Sequence, residues 1–252
     1  MQNREFFVLR ELTKREKKHM RSETRLGQLW VFVDPLLHMA IFSFLAVNWF
    51  THELENFPMF VLSGYYIYCF FRHGTTDSIT ALVSNKNFLI QTRWKKNIFV
   101  KQRVYSAFQD FIYSCVPYVG FMVLFHMKPG WKCFFLIPDM MLMMLLVYGI
   151  GKILAVTYVF FADIRYFYEN FMILLLFASG VFYPPEILPD SAKFILEWNP
   201  LYLCIEIARN SVMYDQYTGI WSWLRLGVWA AVMYLAGSYI FNKKENAVMQ
   251  KL

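Results

Sequence analysis

Long apolar stretches set the strongest limit on how this chain can fold. In the clearest one, Val31–Phe50, Asp34 and His38 are the only ionisable side chains in 20 positions. A helix needs about 20 mostly apolar residues to cross a hydrocarbon core that is roughly 30 Å thick. Only 17% of the 252 residues are charged, against about a quarter in soluble domains. The chain is therefore predicted to be an all-α integral membrane protein with a single domain, 1–252.

Six apolar stretches predict six transmembrane helices. They are 31–50, 58–83, 104–125, 134–161, 167–181 and 220–241. The second becomes polar at Arg72, His73 and Asp77, so this half is predicted to face protein or water rather than lipid. After the fifth, residues 183–215 contain four prolines in apolar sequence too short to span. This segment predicts a re-entrant helical pair, with an ordinary interfacial hairpin as the alternative.

The basic residues predict the orientation of these spans. Nineteen of the 25 Lys and Arg residues lie in 1–28, 72–103, the last ten residues and at Arg165, while the loops between them hold four. Basic residues bias a loop towards the cytoplasm. Six spans with both termini in the cytoplasm satisfy this distribution. The net charge of +7 then reflects topology and contact with anionic membrane lipids, and nucleic acid is not an expected partner.

The N-terminal segment, 1–28, is predicted to be an amphipathic interfacial helix. Its basic residues would form a polar face, which contains Arg10, Lys14, Lys17, Lys18 and Arg21. Phe6, Leu9 and Leu12 would then be directed to the lipid boundary. Such a helix could be a simple positive-inside anchor, or it could also gate entry to a pathway.

The cytoplasmic segment 84–97 is predicted to contain a second short helix. Ser84 or Asn85 is placed to cap it, and Phe88, Leu89 and Trp94 stand among polar residues. Because an isolated helix of this length is unstable in water, exposed apolar residues on it favour docking into a protein groove. The alternative is a solvated basic loop.

Aromatic residues are abundant, with 26 Phe, 16 Tyr and 8 Trp. Most are expected to face lipid or the membrane interface. A subset in the first and fifth spans could instead line a channel, where flat rings stack against the C–H faces of sugars. The candidates are Trp30, Phe32, Phe42, Trp49, Phe177 and Phe182.

Motifs for catalysis are missing from the sequence. The four cysteines form no CxxC pair, and there is no HExxH, Gly-x-Ser-x-Gly or P-loop pattern. We therefore expect no catalytic residue, no metal site and no nucleotide site in this chain. Four ionisable residues, Asp110, Lys152, Glu169 and Arg225, fall in or near spans. A proton-coupled carrier is a weaker alternative, because no inverted repeat or chain of acidic residues accompanies them.

Several sequence motifs resemble one family. RLGQLWVFVDPLLHM at 25–39, FFADIR at 160–165 and GVFYPPEILP with WNPL at 180–201 are similar to motifs of type 2 ABC exporter permeases. FPMFVLSG and NKNFLIQ resemble the same proteins. These permeases move capsular polysaccharide, O-antigen or teichoic acid, and the resemblance covers nearly the whole chain.

The resemblance implies a permease homodimer in the bacterial cytoplasmic membrane. Two copies of a separate ABC subunit would bind ATP and Mg²⁺, and the complex would export a lipid-linked polysaccharide. Three groups of residues receive roles from the family. Arg25, Leu26 and Gly27 would lie near the lipid phosphate. Asn87, Phe88, Leu89, Arg93 and Trp94 would couple to the ATPase, and Tyr183, Pro184, Pro185, Asn199 and Pro200 would cap the exit.

Other functions remain open at this point. An ABC exporter of lipid or drug is the main alternative within transport. A membrane scaffold or an intramembrane transferase would be a different class of protein.

Overall fold

The computed structural model describes residues 7–15, 17, 29–30, 32–33, 36–38, 40–41, 44, 56–91, 96–128 and 130–251. These residues form helices joined by turns, and no strand occurs among them. The all-α class predicted from the sequence is therefore confirmed for this part of the chain.

Eight α-helices have defined bounds within the described residues. They are α1 (Phe57–Ile79), α2 (Lys86–Gln91), α3 (Asn97–Leu124), α4 (Leu136–Phe160), α5 (Ile164–Phe177), α6 (Asp190–Glu197), α7 (Pro200–Val212) and α8 (Ile220–Lys251). Two 3-10 turns, Trp131–Phe135 and Pro185–Ile187, precede α4 and α6. Residues 7–15 are also helical, as are the described residues between 30 and 44.

Helix α1 forms the centre of the fold. It begins with Pro58 in its first turn, where a missing N–H costs nothing. Its aromatic residues are buried against α3, α4 and α7, and the Tyr68 hydroxyl donates to the carbonyl of Met172 in α5 at 2.9 Å. The polar residues Arg72, His73 and Asp77 are exposed on one face of its second half. That this half faces protein or water rather than lipid stays a prediction.

Helices α4 and α8 run parallel to each other, and α3 runs antiparallel to both. Lys96, before α3, forms an ion pair with Glu245 of α8 at 3.2 Å, and Lys251 donates to the carbonyl of Phe160 at 3.3 Å. At the other end, Lys132 donates to the carbonyl of Asp215 at 2.5 Å. We call the end that contains Lys96 and Lys251 the basic end (described residues 80–91, 96–101, 160–165 and 241–251), and the end that contains Lys132 the opposite end (described residues 125–128, 130–135 and 183–222).

Helices α4 and α8 pack closely along their length. The contact is tightest where Gly149 meets Met233 and Gly237, since a Cβ atom on either glycine would overlap the backbone of the facing helix. Small residues at such a crossing allow two membrane helices to approach and gain dispersion contacts. The crossing is the most extensive helix contact in the described fold.

Three helical segments among the described residues are long and apolar enough to cross a membrane. They are Asn97–Leu124, Trp131–Phe160 and Ile220–Lys251, which correspond to the third, fourth and sixth predicted spans. Most of the first predicted span lies outside the described residues. Helix α1 has sufficient length, but its tyrosines and basic residues lower its mean hydropathy, and α5 has only 14 residues. The count of six spans therefore stays a prediction.

Candidate functional site

Helix α2 lies at the basic end, within the segment predicted to contact a partner. Leu89 is 4% exposed and packs in a hydrophobic cluster with Leu82, Ile98, Val156 and Phe241. The Asn85 amide donates to the carbonyl of Ala81 at 2.9 Å, which holds the turn between α1 and α2. A buried leucine thus fixes a helix that is too short to be stable alone.

Phe88, next to Leu89, has a different environment. Its side chain is 37% exposed, and the guanidinium carbon of Arg15 lies 4.6 Å from the centre of its ring. Asn87 is also exposed. Helix α2 therefore has one side that packs on the bundle and another that presents an aromatic ring. Two further residues predicted for coupling, Arg93 and Trp94, lie outside the described residues.

The N-terminal helical residues lie against the bundle instead of facing only lipid and water. Leu9, which we expected at the lipid boundary, is buried in the same cluster as Leu89. Lys17, expected on a polar face, is buried and forms an ion pair with Asp110 of α3 at 2.7 Å. Both expectations are wrong for these two residues, because tertiary contacts give the leucine and the lysine partners inside the protein. Arg10 and Lys14 are exposed as expected.

At the opposite end, Asn199 joins two segments of the predicted exit cap. Its Nδ2 donates to the carbonyl of Ala178 at 3.0 Å and to the hydroxyl of Ser179 at 2.9 Å. Its Oδ1 accepts from the N–H of Leu201 at 3.0 Å, which caps α7, while Pro200 occupies the first helical position. One side chain therefore starts α7 and fixes it to the turn after α5.

Tyr183 closes the same turn from its other side. Its hydroxyl donates to the carbonyl of Phe177, the last residue of α5, at 2.7 Å. Partial burial raises the pKa of the Tyr183 hydroxyl, so it stays protonated and remains a donor. The turn also contains Gly180 at φ +62°, a conformation that glycine adopts without steric cost. Pro184 and Pro185 follow, both partly buried.

Arg209 of α7 is the residue that the sequence reasoning missed. Its guanidinium donates to the carbonyls of Gly180 at 2.7 Å, Val181 at 2.8 Å and Phe60 at 3.0 Å, and to the Ser63 hydroxyl at 3.3 Å. In the described part of the chain these acceptors are carbonyls and a hydroxyl rather than a carboxylate. The side chain is 4% exposed and ties α7 to α1 and to the turn after α5.

Gly64 makes room for this guanidinium. A Cβ atom at Gly64 would lie 2.6 Å from Nη2 of Arg209, so only glycine fits without displacing it. The sequence contained a usable signal, because Arg209 is a single basic residue inside the apolar pattern of α7. In the charge distribution of the sequence, Arg209 is only one of the four basic residues in the loops between the basic segments.

Four of the six predicted channel aromatics lie within the described residues. Phe177 is more than half exposed, whereas Phe182 is buried; their ring centres lie 5.7 Å apart. Trp30 is exposed and Phe32 is partly buried. Phe42 and Trp49 lie outside the described residues, as do Arg25, Leu26 and Gly27.

The four ionisable residues singled out near spans all have partners. Asp110 pairs with Lys17, as above, and Arg165 pairs with Glu169 at 2.9 Å. Arg225 pairs with Glu197 at 3.0 Å. Lys152 donates to the Ser238 hydroxyl at 2.9 Å, and two tyrosine rings surround its ammonium group at 4.0 and 4.7 Å. These contacts give each of the four groups a charged or polar partner.

Comparison with known proteins decides the family. The model of the ABC-2 type transporter family matches residues 8–213, which is most of the chain. The chain belongs to the ABC-2 type transporter family. The match contains α1 to α7 and therefore both the α2 surface and the turn held by Arg209 and Asn199.

Curated relatives of this ABC-2 transporter chain are export permeases. It is 22% identical over 243 residues to an O-antigen export system permease protein RfbA from Klebsiella pneumoniae, covering 94% of this chain and 92% of the relative. It is 24% identical over 253 residues to a polysialic acid transport protein KpsM from Escherichia coli, covering 97% and 94%. A capsule polysaccharide export inner-membrane protein BexB from Haemophilus influenzae is 22% identical, covering 82% and 80%. The family resemblance stated from the motifs is thereby confirmed.

Proposed function

We propose that this ABC-2 transporter chain is the permease subunit of an ATP-driven exporter of a lipid-linked cell-surface polysaccharide. It would act as a homodimer in the bacterial cytoplasmic membrane with two copies of an ATP-binding ABC subunit. The observation that carries the proposal is the nearly full-length similarity to permeases named for O-antigen and polysialic acid export. These relatives share a class of cargo, the polysaccharide, which favours it over a drug.

The charge distribution supports a cytoplasmic location for the basic end. This end contains the exposed residues Lys86, Lys243 and Lys244, and basic residues are retained on the cytoplasmic side. It also contains α2 and the N-terminal helical residues, which pack together. The opposite end, with Asn199 and the turn after α5, would then face the exterior.

Coupling to the ATPase is assigned to α2. Leu89 anchors the helix in the bundle, so a force applied to Phe88 and Asn87 would reach α3, α4 and α8 through the shared cluster. An exposed aromatic ring on a fixed helix can dock into a groove of a partner protein. Such a ring buries a large apolar area on binding and loses little side-chain entropy. Arg93 and Trp94 would extend the same surface.

Substrate entry is assigned to Arg25, Leu26 and Gly27 on the strength of the family resemblance. A lipid-linked glycan brings a phosphate or pyrophosphate to the cytoplasmic surface of the membrane. The guanidinium of Arg25 could hold two phosphate oxygens at once, and Gly27 would let the backbone approach closely. The aromatic candidates would then provide stacking surfaces for the sugars.

The exit would be covered by a re-entrant pair made of α6 and α7. Helices of 8 and 13 residues are too short to span, and the contacts of Arg209 and Asn199 hold α7 against α1 and α5. Non-helical backbone at membrane depth is tolerated only where protein or water surrounds it. The carbonyls of Gly180 and Val181 meet this condition, since Arg209 satisfies them.

Deletion of the gene tests the export function directly. We expect loss of surface polysaccharide and accumulation of the lipid-linked glycan inside the cell, with both effects reversed by the wild-type chain. Surface glycan and inner-membrane glycolipid are measured in parallel. Unchanged surface glycan, together with a changed drug susceptibility or lipid composition, would identify the lipid or drug exporter instead.

A further inference from the structure

A cleft lies at the opposite end of the protein, beside the Arg225–Glu197 ion pair. It has a volume of about 450 Å³ and opens between the 3-10 turn at Pro185, helix α6, the start of α7 and the start of α8. Small-molecule sites commonly have volumes of about 300–1,000 Å³. The cleft is therefore large enough for a small organic ligand.

The lining of the cleft combines carboxylates, cations and aromatic rings. Glu186 and Glu197 both lie within electrostatic range of Glu206, and all three line the cavity. Tyr202 forms part of a wall, and Trp221 is 70% exposed. A free indole face beside several hydrogen-bond acceptors is suited to a sugar ring, which has apolar C–H faces and hydroxyl donors at its edges.

The charge of the lining selects among sugars. Lys193 and Arg225 are its cations, so the three carboxylates leave one formal negative charge in excess. Arg225 is already engaged by Glu197 at 3.0 Å, and Lys193 lies 3.7 Å from Asp190. An amino sugar would gain attraction from Glu186 and Glu206, whereas a uronate or phosphate would be repelled.

A metal ion does not account for the carboxylates. No group of three or more His, Cys, Asp or Glu side chains within the described residues is close enough to hold one. The carboxylates instead line an open cleft, where they can accept hydrogen bonds from the hydroxyl groups of a sugar ring.

We propose that this cleft binds one pyranose residue of the exported glycan on the exterior face, and that it favours an amino sugar over an acidic one. The proposal rests on the function proposed above, because that function places a glycan at this end of the protein. It adds a sugar site outside the turn held by Arg209, together with a preference set by Glu186 and Glu206.

Titration of the full chain in lipid nanodiscs with single sugars tests this proposal. The probes are glucosamine, glucose and glucuronic acid, and binding is followed by saturation-transfer NMR. We expect saturable binding that is strongest for glucosamine and weakest for glucuronic acid. Equal affinity for glucosamine and glucuronic acid, or no saturable binding to any of the three, would overturn the proposal.

Two variants and two matched controls locate the binding. Trp221→Ala is expected to weaken all binding about tenfold, as loss of a stacking ring does. Glu206→Gln is expected to reduce the preference for glucosamine about fivefold while glucose binding changes little. Trp131→Ala, an exposed tryptophan at the same end, and Glu245→Gln at the basic end should bind as wild type. If Trp221→Ala and Glu206→Gln also match wild type, the sugars bind elsewhere.

The two proposals can fail separately. Sugar binding is measured on the isolated chain, whereas export is measured as surface glycan in cells. If gene deletion leaves surface glycan unchanged, the export function is refuted whatever the titrations show. If deletion abolishes surface glycan and the titrations show no acid discrimination, export stands and the cleft proposal is refuted.

Discussion

The guanidinium carbon of Arg209 lies 3.4 Å from the centre of the Phe60 ring. Phe60 also accepts a hydrogen bond from Arg209 through its carbonyl, so one residue of α1 meets the guanidinium with both its ring and its backbone. A buried charge is costly unless its donors are satisfied. The carbonyls of Gly180, Val181 and Phe60 accept hydrogen bonds from these donors, so Arg209 holds the turn after α5 together with Asn199 and Tyr183.

Replacing Arg209 should therefore destabilise the permease. Arg209→Met leaves the three carbonyls without a donor, and Arg209→Lys cannot reproduce a planar fork that stacks and donates at once. We expect each change to cost about 3 kcal/mol, seen as a lower melting temperature of the purified protein. Arg165→Lys is the matched control, because its exposed pair with Glu169 contributes about 0.5 kcal/mol. A wild-type melting temperature for Arg209→Lys would contradict the assigned role.

Adjacent substitutions in α2 should separate docking from folding. Phe88→Ala should leave the melting temperature nearly unchanged but weaken association with the ATPase by about 2 kcal/mol, or about thirtyfold. Leu89→Ala should instead destabilise the chain by about 2–4 kcal/mol, because it opens a cavity in the cluster at the basic end. Melting temperature and ATPase co-purification are measured on both variants. Full ATPase retention by Phe88→Ala combined with Trp94→Ala would reduce this surface to a solvated loop.

The orientation can be read from the labelling of single cysteines. The four native cysteines are first replaced by alanine, and cysteine is then introduced at Asn56, Tyr214, Lys95 or Lys244. Asn56 and Tyr214 should react with a membrane-impermeant reagent in intact cells, and Lys95 and Lys244 only after permeabilisation. Lys17 is unsuitable, since it is buried against Asp110, and the exposed Lys14 replaces it. Reaction of positions 95 and 214 from the same side would rule out six spans.

Phosphate binding by Arg25 should depend on guanidinium geometry and not on charge alone. Arg25→Lys is expected to weaken export severalfold, because an ammonium group acts as one hydrated point charge. Arg25→Ala should lower export roughly tenfold or more, since charge-assisted hydrogen bonds contribute about 1.5–3 kcal/mol. Arg21→Ala should matter less if Arg21 only attracts anionic lipid. The measurement is surface glycan per membrane-inserted permease, and equal export by all variants would leave Arg25 as a topological anchor.

Local properties of the sequence were sufficient to predict the helical class and the positions of several helices. Hydrophobicity and basic charge are summed along a segment, so the third, fourth and sixth spans could be placed without tertiary information. The motif at 180–201 likewise singled out Tyr183, in the turn after α5, and Asn199, which caps α7 and donates to that turn.

Tertiary structure alone decided which distant residues meet. Lys17 and Asp110 are 93 positions apart, and Arg209 and Phe60 are 149 positions apart, so no local pattern relates them. Lys17, which was expected on a polar face, is instead a buried ion-pair partner. Arg209 is also buried, and it donates hydrogen bonds to carbonyls. The cleft at Glu206 and Trp221 has the same origin, since three helices must pack before its carboxylates share one space. The composition of a segment determines whether it prefers water or lipid. The energy of a buried charge depends instead on partners that only the folded chain brings within hydrogen-bonding distance.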